Sequence, residues 1–180
     1  MTRSFPRRAG GAVVTELTRL LVLGVAIVLA GCAGYAGRGL VPGQSSAEEV
    51  EALMGPAAER RPGAGGETVR YYSRQPNGRE MYAARFGQDG KLRAIEQRLT
   101  EANLARLALG ASRTDDVRNL FGPPYKVDTF ARLAREVWTY KMYGDGFQPK
   151  DLYVQMSGEG VVREVMMVDD PQFASKEAAD

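Results

Sequence analysis

The segment Gly43–Pro56, G-Q-S-S-A-E-E-V-E-A-L-M-G-P, returns 67 residues later as Gly110–Pro123, G-A-S-R-T-D-D-V-R-N-L-F-G-P. One offset aligns Gly43 with Gly110, Ser45 with Ser112, Glu48-Glu49-Val50 with Asp115-Asp116-Val117, Leu53 with Leu120, and Gly55-Pro56 with Gly122-Pro123. Self-similarity at a fixed spacing points to one supersecondary unit used twice. Each copy reads as a short amphipathic helix with a fixed start and stop. Ser112 stands at an N-cap, where its hydroxyl would accept from a first-turn N–H, and Asp115 lies at capping-box spacing; Ser45 and Glu48 repeat the pair. Paired acids in the first turn suit the positive end of the helix dipole. Val117, Leu120 and Phe121 fall at i, i+3 and i+4 and make one apolar face. Gly122 suits a left-handed position after the helix, and Pro123 cannot continue it.

The sequence after each helix repeats as well. Glu67–Tyr71 answers Glu136–Tyr140, Tyr82 answers Tyr153, and Gly90–Ile95 answers Gly160–Val165. These offsets are 69, 71 and 70, a drift that hairpin loops of unequal length would produce. In the first copy Thr68–Ser73, Met81–Phe86 and Lys91–Leu99 read as strands, separated by the turns Pro76-Asn77-Gly78 and Gln88-Asp89-Gly90. The third carries Ile95 and Leu99 on one face and Leu92 on the other. Ala57–Gly66 reads as a loop; its Gly-Ala-Gly-Gly run lacks the Lys-Ser/Thr and helix that a phosphate-cradling loop requires. In the second copy Thr100–Leu107 is a short helix capped by Thr100, Asn119–Phe130 is a loop, and the strands are Glu136–Tyr143, Asp151–Met156 and Val161–Val168. Trp138, Tyr140 and Met142 share one face. The last strand is apolar on both faces, which fits either burial on both sides or a partner surface. The expected fold class is therefore α+β, two tandem repeats, each of short helices packed on a three-stranded antiparallel sheet. The repeats run 43–99 and 100–170, and the polar tail 171–180 reads as disordered.

Composition removes most chemistry. The chain has no histidine, the commonest general base and metal ligand, and one cysteine, Cys32, so no intramolecular disulfide or Cys-rich zinc site is open to it. No serine sits in a nucleophile-elbow context. Asp115-Asp116 is explained by helix capping, and Asp169-Asp170 reads as strand-end charge. No catalytic residue, metal site, cofactor or small-molecule substrate is expected. The 24 basic and 22 acidic residues give a net charge of +2, but setting aside Arg3, Arg7, Arg8, Arg19 and Glu16 of residues 1–31 leaves 20 and 21, no footprint for nucleic acid.

Those first 31 residues have their own pattern. A basic start precedes the apolar run Leu20–Ala30, which is short for a membrane-spanning helix and fits a signal-peptide core. Leu29-Ala30-Gly31-Cys32 then resembles the lipobox of bacterial lipoproteins. The resemblance implies a signal peptide over 1–31, cleavage before Cys32, and a diacylglycerol thioether on its sulfur. Several acyl chains, at about 0.8 kcal/mol per buried CH₂, anchor a protein stably. Ala33 in place of the aspartate that marks inner-membrane retention in enterobacterial lipoproteins implies the outer membrane. Residues 32–42, small and glycine-rich, read as a flexible tether.

The second half, Leu99–Val168, resembles the SmpA/OmlA (BamE-like) domain of outer-membrane assembly lipoproteins. The resemblance rests on Leu99-Thr100, Gly110-x-Ser112, Asp116-Val117, Leu120, Gly122-x-Pro124, Asp128-x-Phe130, Trp138-x-Tyr140, Leu152–Met156 and Gly160. Residues 43–99 resemble it through the helix signature alone, and tandem copies look like the β-lactamase inhibitor protein architecture. The resemblance implies a non-catalytic lipoprotein on the periplasmic side of the outer membrane, an accessory of the β-barrel assembly machine in contact with acidic phospholipid. It places partner contacts at Asp128 and Phe130; Phe147, in a glycine-containing turn, is a third candidate. The other reading open is a periplasm-facing inhibitor or sensor module that binds a soluble protein.

Overall fold

The structure, a computed structural model, describes residues 37–174. The expected signal peptide, Cys32 and the rest of residues 32–36 of the expected tether, and the end of the tail lie outside the described residues. The fold is α+β, with two antiparallel four-stranded sheets, one per repeat. In the first repeat helix α1 (Ala47–Met54) precedes β1 (Glu59–Pro62), β2 (Thr68–Ser73), β3 (Met81–Phe86) and β4 (Leu92–Gln97). A one-turn helix, α2 (Glu101–Leu104), leads to α3 (Thr114–Phe121), then β5 (Lys126–Phe130), β6 (Arg135–Tyr143), β7 (Pro149–Ser157) and β8 (Val162–Asp169). A turn of helix, α4 (Pro171–Ala174), occupies the start of the expected disordered tail. Strand order in both sheets follows the chain.

Each sheet has four strands where the sequence pattern predicts three. The additional strands, β1 and β5, lie in segments that read as loops. Glu-Arg-Arg-Pro has no apolar alternation, and each of the two is an edge strand, where charge and proline are tolerated and discourage further pairing.

The turns that precede the two main helices match hydrogen bond for hydrogen bond. Gly43 N–H donates to the Leu92 carbonyl and Leu92 N–H to the Ser45 carbonyl; Gly110, Val162 and Ser112 repeat the pair. The Ser45 hydroxyl accepts from Val41 N–H at 3.0 Å, and the Ser112 hydroxyl from Ala108 N–H at 3.0 Å. These serines therefore close the turn before each helix and are not its caps. The cap is one residue later: the Ser46 hydroxyl accepts from Glu49 N–H, and the Glu49 carboxylate from Ser46 N–H. In the second repeat Arg113 holds that position, and the Asp116 carboxylate accepts its N–H at 2.8 Å. Thr100 does cap α2, its hydroxyl accepting from Asn103 N–H. After the main helices Gly55 (φ 82°, ψ −175°) and Gly122 (φ 77°, ψ −166°) have positive φ with extended ψ, a region reserved to glycine and distinct from the left-handed helix.

Strand alignment between the repeats is shifted by one from the sequence matching. Tyr72 pairs with Tyr82 and Tyr140 with Leu152, and both Tyr72 and Tyr140 pack on their own repeat's helix. The counterpart of Tyr140 is thus Tyr72, not Tyr71, and Tyr82 answers Leu152. A bulge at Arg85/Phe86 recurs at Gln155/Met156. It brings Leu92 to the face of Ile95, and Val162 to that of Val165, correcting the faces read from simple alternation.

Two cores result. Val50 and Met54 of α1 pack on Tyr72, Ala84, Phe86 and Leu92 of the first sheet. The opposite face of that sheet, Tyr71, Met81 and Ala83, joins the second core with Val117, Leu120 and Phe121 of α3 and Trp138, Tyr140, Met142, Leu152, Val154 and Met156. Helix α3 is therefore packed between the two sheets, and the layers run helix, sheet, helix, sheet.

Candidate functional site

The seat that the first sheet offers to α3 is built from alternate residues of β1 to β4. Glu59 and Arg61 of β1 register with Tyr71 and Val69 of β2 and point to the same side. Arg61 donates to Asp115 at 2.8 Å and to the Asn119 side chain at 3.1 Å. The hydrogen bond to Asp115, helped by Glu59, outweighs partial burial and holds the Arg61 guanidinium above its ordinary pKa. Arg118 donates to Glu59 at 2.8 Å, and its guanidinium lies 5.0 Å over the Trp138 ring. The last carbonyls of α3 are claimed by side chains as well: Tyr71 donates to the Asn119 carbonyl, Arg98 to those of Asn119 and Leu120. Those groups would otherwise lack partners at a helix end. The cleft between the sheets is thus filled by the protein's own helix.

The same face of the second sheet, turned away from α3, has no such cover. By register it carries Lys126, Asp128 and Phe130 from β5, Arg135, Val137 and the buried Thr139 from β6, Tyr153 and Gln155 from β7, and Glu164, Met166 and Val168 from β8. Phe130 is 49% exposed and Met166 42% exposed, whereas Tyr71 on the first sheet's face is 2% exposed. Val137, Tyr153, Gln155 and Val168 are half-buried. Lys126 and Asp128 pair at 2.9 Å, and the carboxylate raises the lysine's pKa through that hydrogen bond.

One end of this face is sealed by charge. Lys141 of β6 donates to Asp151 at 2.9 Å and to Asp170 at 2.8 Å, and Arg79 from the β2–β3 loop pairs with Asp170. All four side chains are buried. Burial alone would raise the Asp170 pKa; the hydrogen bonds from Lys141 and Arg79 outweigh it and bring it down to about 2. Burial opposes the Lys141 charge too, yet its two carboxylate partners raise its pKa. The Arg79 guanidinium lies between Tyr143, at 5.8 Å, and Phe173, at 5.2 Å. Gln75, from the same loop, accepts from Lys141 N–H where β6 runs past the end of β5. A loop of the first repeat is thereby bolted to the second sheet. Asp170, read from sequence as strand-end charge, is instead the centre of this network.

The sequence candidates fall at two places. Asp128 and Phe130 sit side by side on the open face. Phe147 is 83% exposed at the other end of β6, its ring edge-on to Tyr143 at 6.1 Å, with positive φ in the turn Asp145–Phe147. The span of β6 separates it from Phe130, so the three form no single cluster. Met166 lies on the last strand, which read as apolar on both faces, so the sequence did not single it out. Asp115 and Asp116 have separate duties, to Arg61 and to the helix start.

Among the described residues no group of three acidic, histidine or cysteine side chains could hold a metal ion, and no helix is long and apolar enough to cross a membrane. A cavity of about 470 Å³ is lined by Arg98, Arg106, Ser112, Asp116 and Asn119 beside α3. Arg98 and Asp116 are already engaged in holding that helix.

No family model matches the chain, and no curated protein matches it. Among solved structures it is similar to a DUF4309 family protein (YjgB) from Bacillus subtilis subsp. subtilis str. 168, at 19% sequence identity over 74% of this chain and 84% of that chain, with a TM-score of 0.28. A likeness of that size transfers neither fold nor function.

Proposed function

We propose that the chain is a non-catalytic lipoprotein of the outer membrane, anchored through Cys32, that binds a protein partner and assists β-barrel assembly or envelope integrity. The observation that carries the binding reading is the open face of the second sheet. Exposed Phe130 beside the Lys126–Asp128 pair on one edge, with exposed Met166 on the opposite edge, gives the face the mixed apolar and charged character of a protein contact surface. The lipobox supports the anchor, and the glycine-rich composition of residues 32–42 supports a tether that displays the domain in the periplasm. Acidic phospholipid is a secondary partner on this reading, as the BamE-like resemblance implies.

Two measurements test it. Cys32→Ala, or globomycin treatment of the wild type, is expected to abolish lipid labelling and membrane association; a fraction that stays membrane-bound under both refutes the anchor. Mild detergent extraction and co-purification is expected to recover a barrel-assembly component with the wild type and to lose it with Phe130→Asp plus Met166→Asp. Recovery of a soluble protein in its place favours the inhibitor or sensor reading.

A further inference from the structure

We propose that the open face of the second sheet is a seat for a helix of another protein, and that this helix carries a cation and an anion in the reverse order to α3. The proposal rests on the protein-binding reading above and gives the partner its chemistry.

The repeats define the comparison. Ala58 N–H donates to the Tyr71 carbonyl and Tyr125 N–H to the Thr139 carbonyl, so Glu59 and Arg61 of the first sheet correspond to Lys126 and Asp128 of the second. On the first sheet the two form an ion pair across one strand position, Arg61 to Glu59 at 3.2 Å. On the second the same geometry recurs with the signs exchanged, Lys126 to Asp128 at 2.9 Å. The first pair reads a helix: Arg61 takes Asp115 and Glu59 takes Arg118, three residues apart on α3. A helix docked in the same way on the second sheet would meet Asp128 where α3 meets Arg61, and Lys126 where α3 meets Glu59. It is complementary when a lysine or arginine stands at the Asp115 position and a glutamate or aspartate at the Arg118 position. Val137 lies where Val69 does, and Tyr153 and Met166 supply apolar area.

A second copy of this chain is the worse occupant. Its α1 offers Glu48 and Glu51 at the two positions. Glu48 would oppose Asp128, and Glu51 is already paired with Arg60 at 2.6 Å and Arg70 at 3.2 Å. The reversed charges thus favour a different protein and discourage head-to-tail growth of the layers, since a like-charge contact at a docking edge selects against the wrong partner.

The test uses two stapled, fluorescently labelled peptides spanning Gly110–Tyr125. One has the native sequence and the other carries Asp115→Lys and Arg118→Glu. Their affinities for the full-length lipoprotein in detergent are read by anisotropy. The wild type is expected to prefer the reversed peptide on the order of five-fold, as two exposed charge contacts allow. The doubly exchanged protein, Lys126→Asp and Asp128→Lys, is expected to reverse that preference. Both sites are at the surface, so the exchanged protein should keep its melting temperature, which is checked. Equal affinity for the two peptides, a preference the exchange leaves unmoved, or no binding overturns the proposal. So does a cross-link from benzoyl-phenylalanine at Val137 to a second copy of the chain. If the preference reverses while no envelope partner co-purifies, the seat stands and the assembly role falls; if a partner co-purifies but the preference is absent, the converse holds.

Discussion

Asp170 has no solvent exposure, and two cations from different repeats converge on it. Removing one partner of such a group leaves the others buried and uncompensated, so Asp170→Ala is expected to cost about 3–5 kcal/mol in urea denaturation at pH 7. The pH dependence has a definite sign. The folded pKa of about 2 lies below the ordinary 3.8, so the group's contribution is present above pH 4 and is lost as pH falls toward 2. The urea midpoint of the wild type should therefore drop more steeply than that of Asp170→Asn between pH 4 and pH 2; parallel curves would show that the network does not titrate as the geometry implies. None of this was legible in the sequence. Lys141 and Asp151 fall at the polar positions of alternating strands, where a solvated face is the natural reading. Their burial depends on a loop some 70 residues earlier, which strand periodicity does not report. The Ser45 and Ser112 positions failed for a nearer reason: each has a neighbour that occupies the cap, and the true cap in the second repeat is an arginine whose backbone, not side chain, is satisfied.

At the scale of elements, the helix signature located both main helices, and the strand patterns located six of the eight strands. The edge strands β1 and β5 were missed because an edge needs little apolar surface and neither segment carries the apolar pattern that revealed the other edges, β4 and β8. Duplication offers an internal control here. Gly55 and Gly122 occupy equivalent places with nearly the same φ, yet a Cβ on Gly55 would meet nothing within 4 Å, while one on Gly122 would lie 2.7 Å from Tyr71 and 3.0 Å from Met81. Gly55→Ala should cost only the backbone strain, about 1–2 kcal/mol. Gly122→Ala adds a clash with the neighbouring sheet and should cost about 1–3 kcal/mol more. Thermal melts of the two variants check this; equal losses would mean that α3 is not held against the first sheet as described. Of the site candidates, Asp128 and Phe130 were read as loop residues and lie instead on β5, Phe130 exposed and Asp128 half-buried, and their place on one face with Met166 needed the β5–β8 register.

For the whole molecule, the sharing of α3 between two sheets decides how the repeats unfold. A pair of domains joined by a linker would melt separately; here Leu120, Phe121 and Tyr71 belong to one core drawn from both repeats. A single cooperative transition is expected, with far-ultraviolet circular dichroism and hydrogen exchange in β2 and β7 reporting one midpoint. Phe121→Ala should cost about 3–5 kcal/mol of stability and lower the midpoint of both strands together. Two separated transitions, or loss confined to β7, would mean that the repeats stand alone. The duplication itself was plain in the sequence. The stacking of one repeat's helix on the other's sheet was not, because the residues that seat it, Glu59 and Arg61, sit in a segment with no apolar pattern.

The chain's one indole is at Trp138, 3% exposed, under the guanidinium of Arg118 and hydrogen-bonded to Glu136. Arg118 in turn reaches the first sheet through Glu59. Intrinsic emission excited at 295 nm thus comes from a single chromophore at the joint between the halves. A red shift on prying them apart would give a label-free optical reading of that joint.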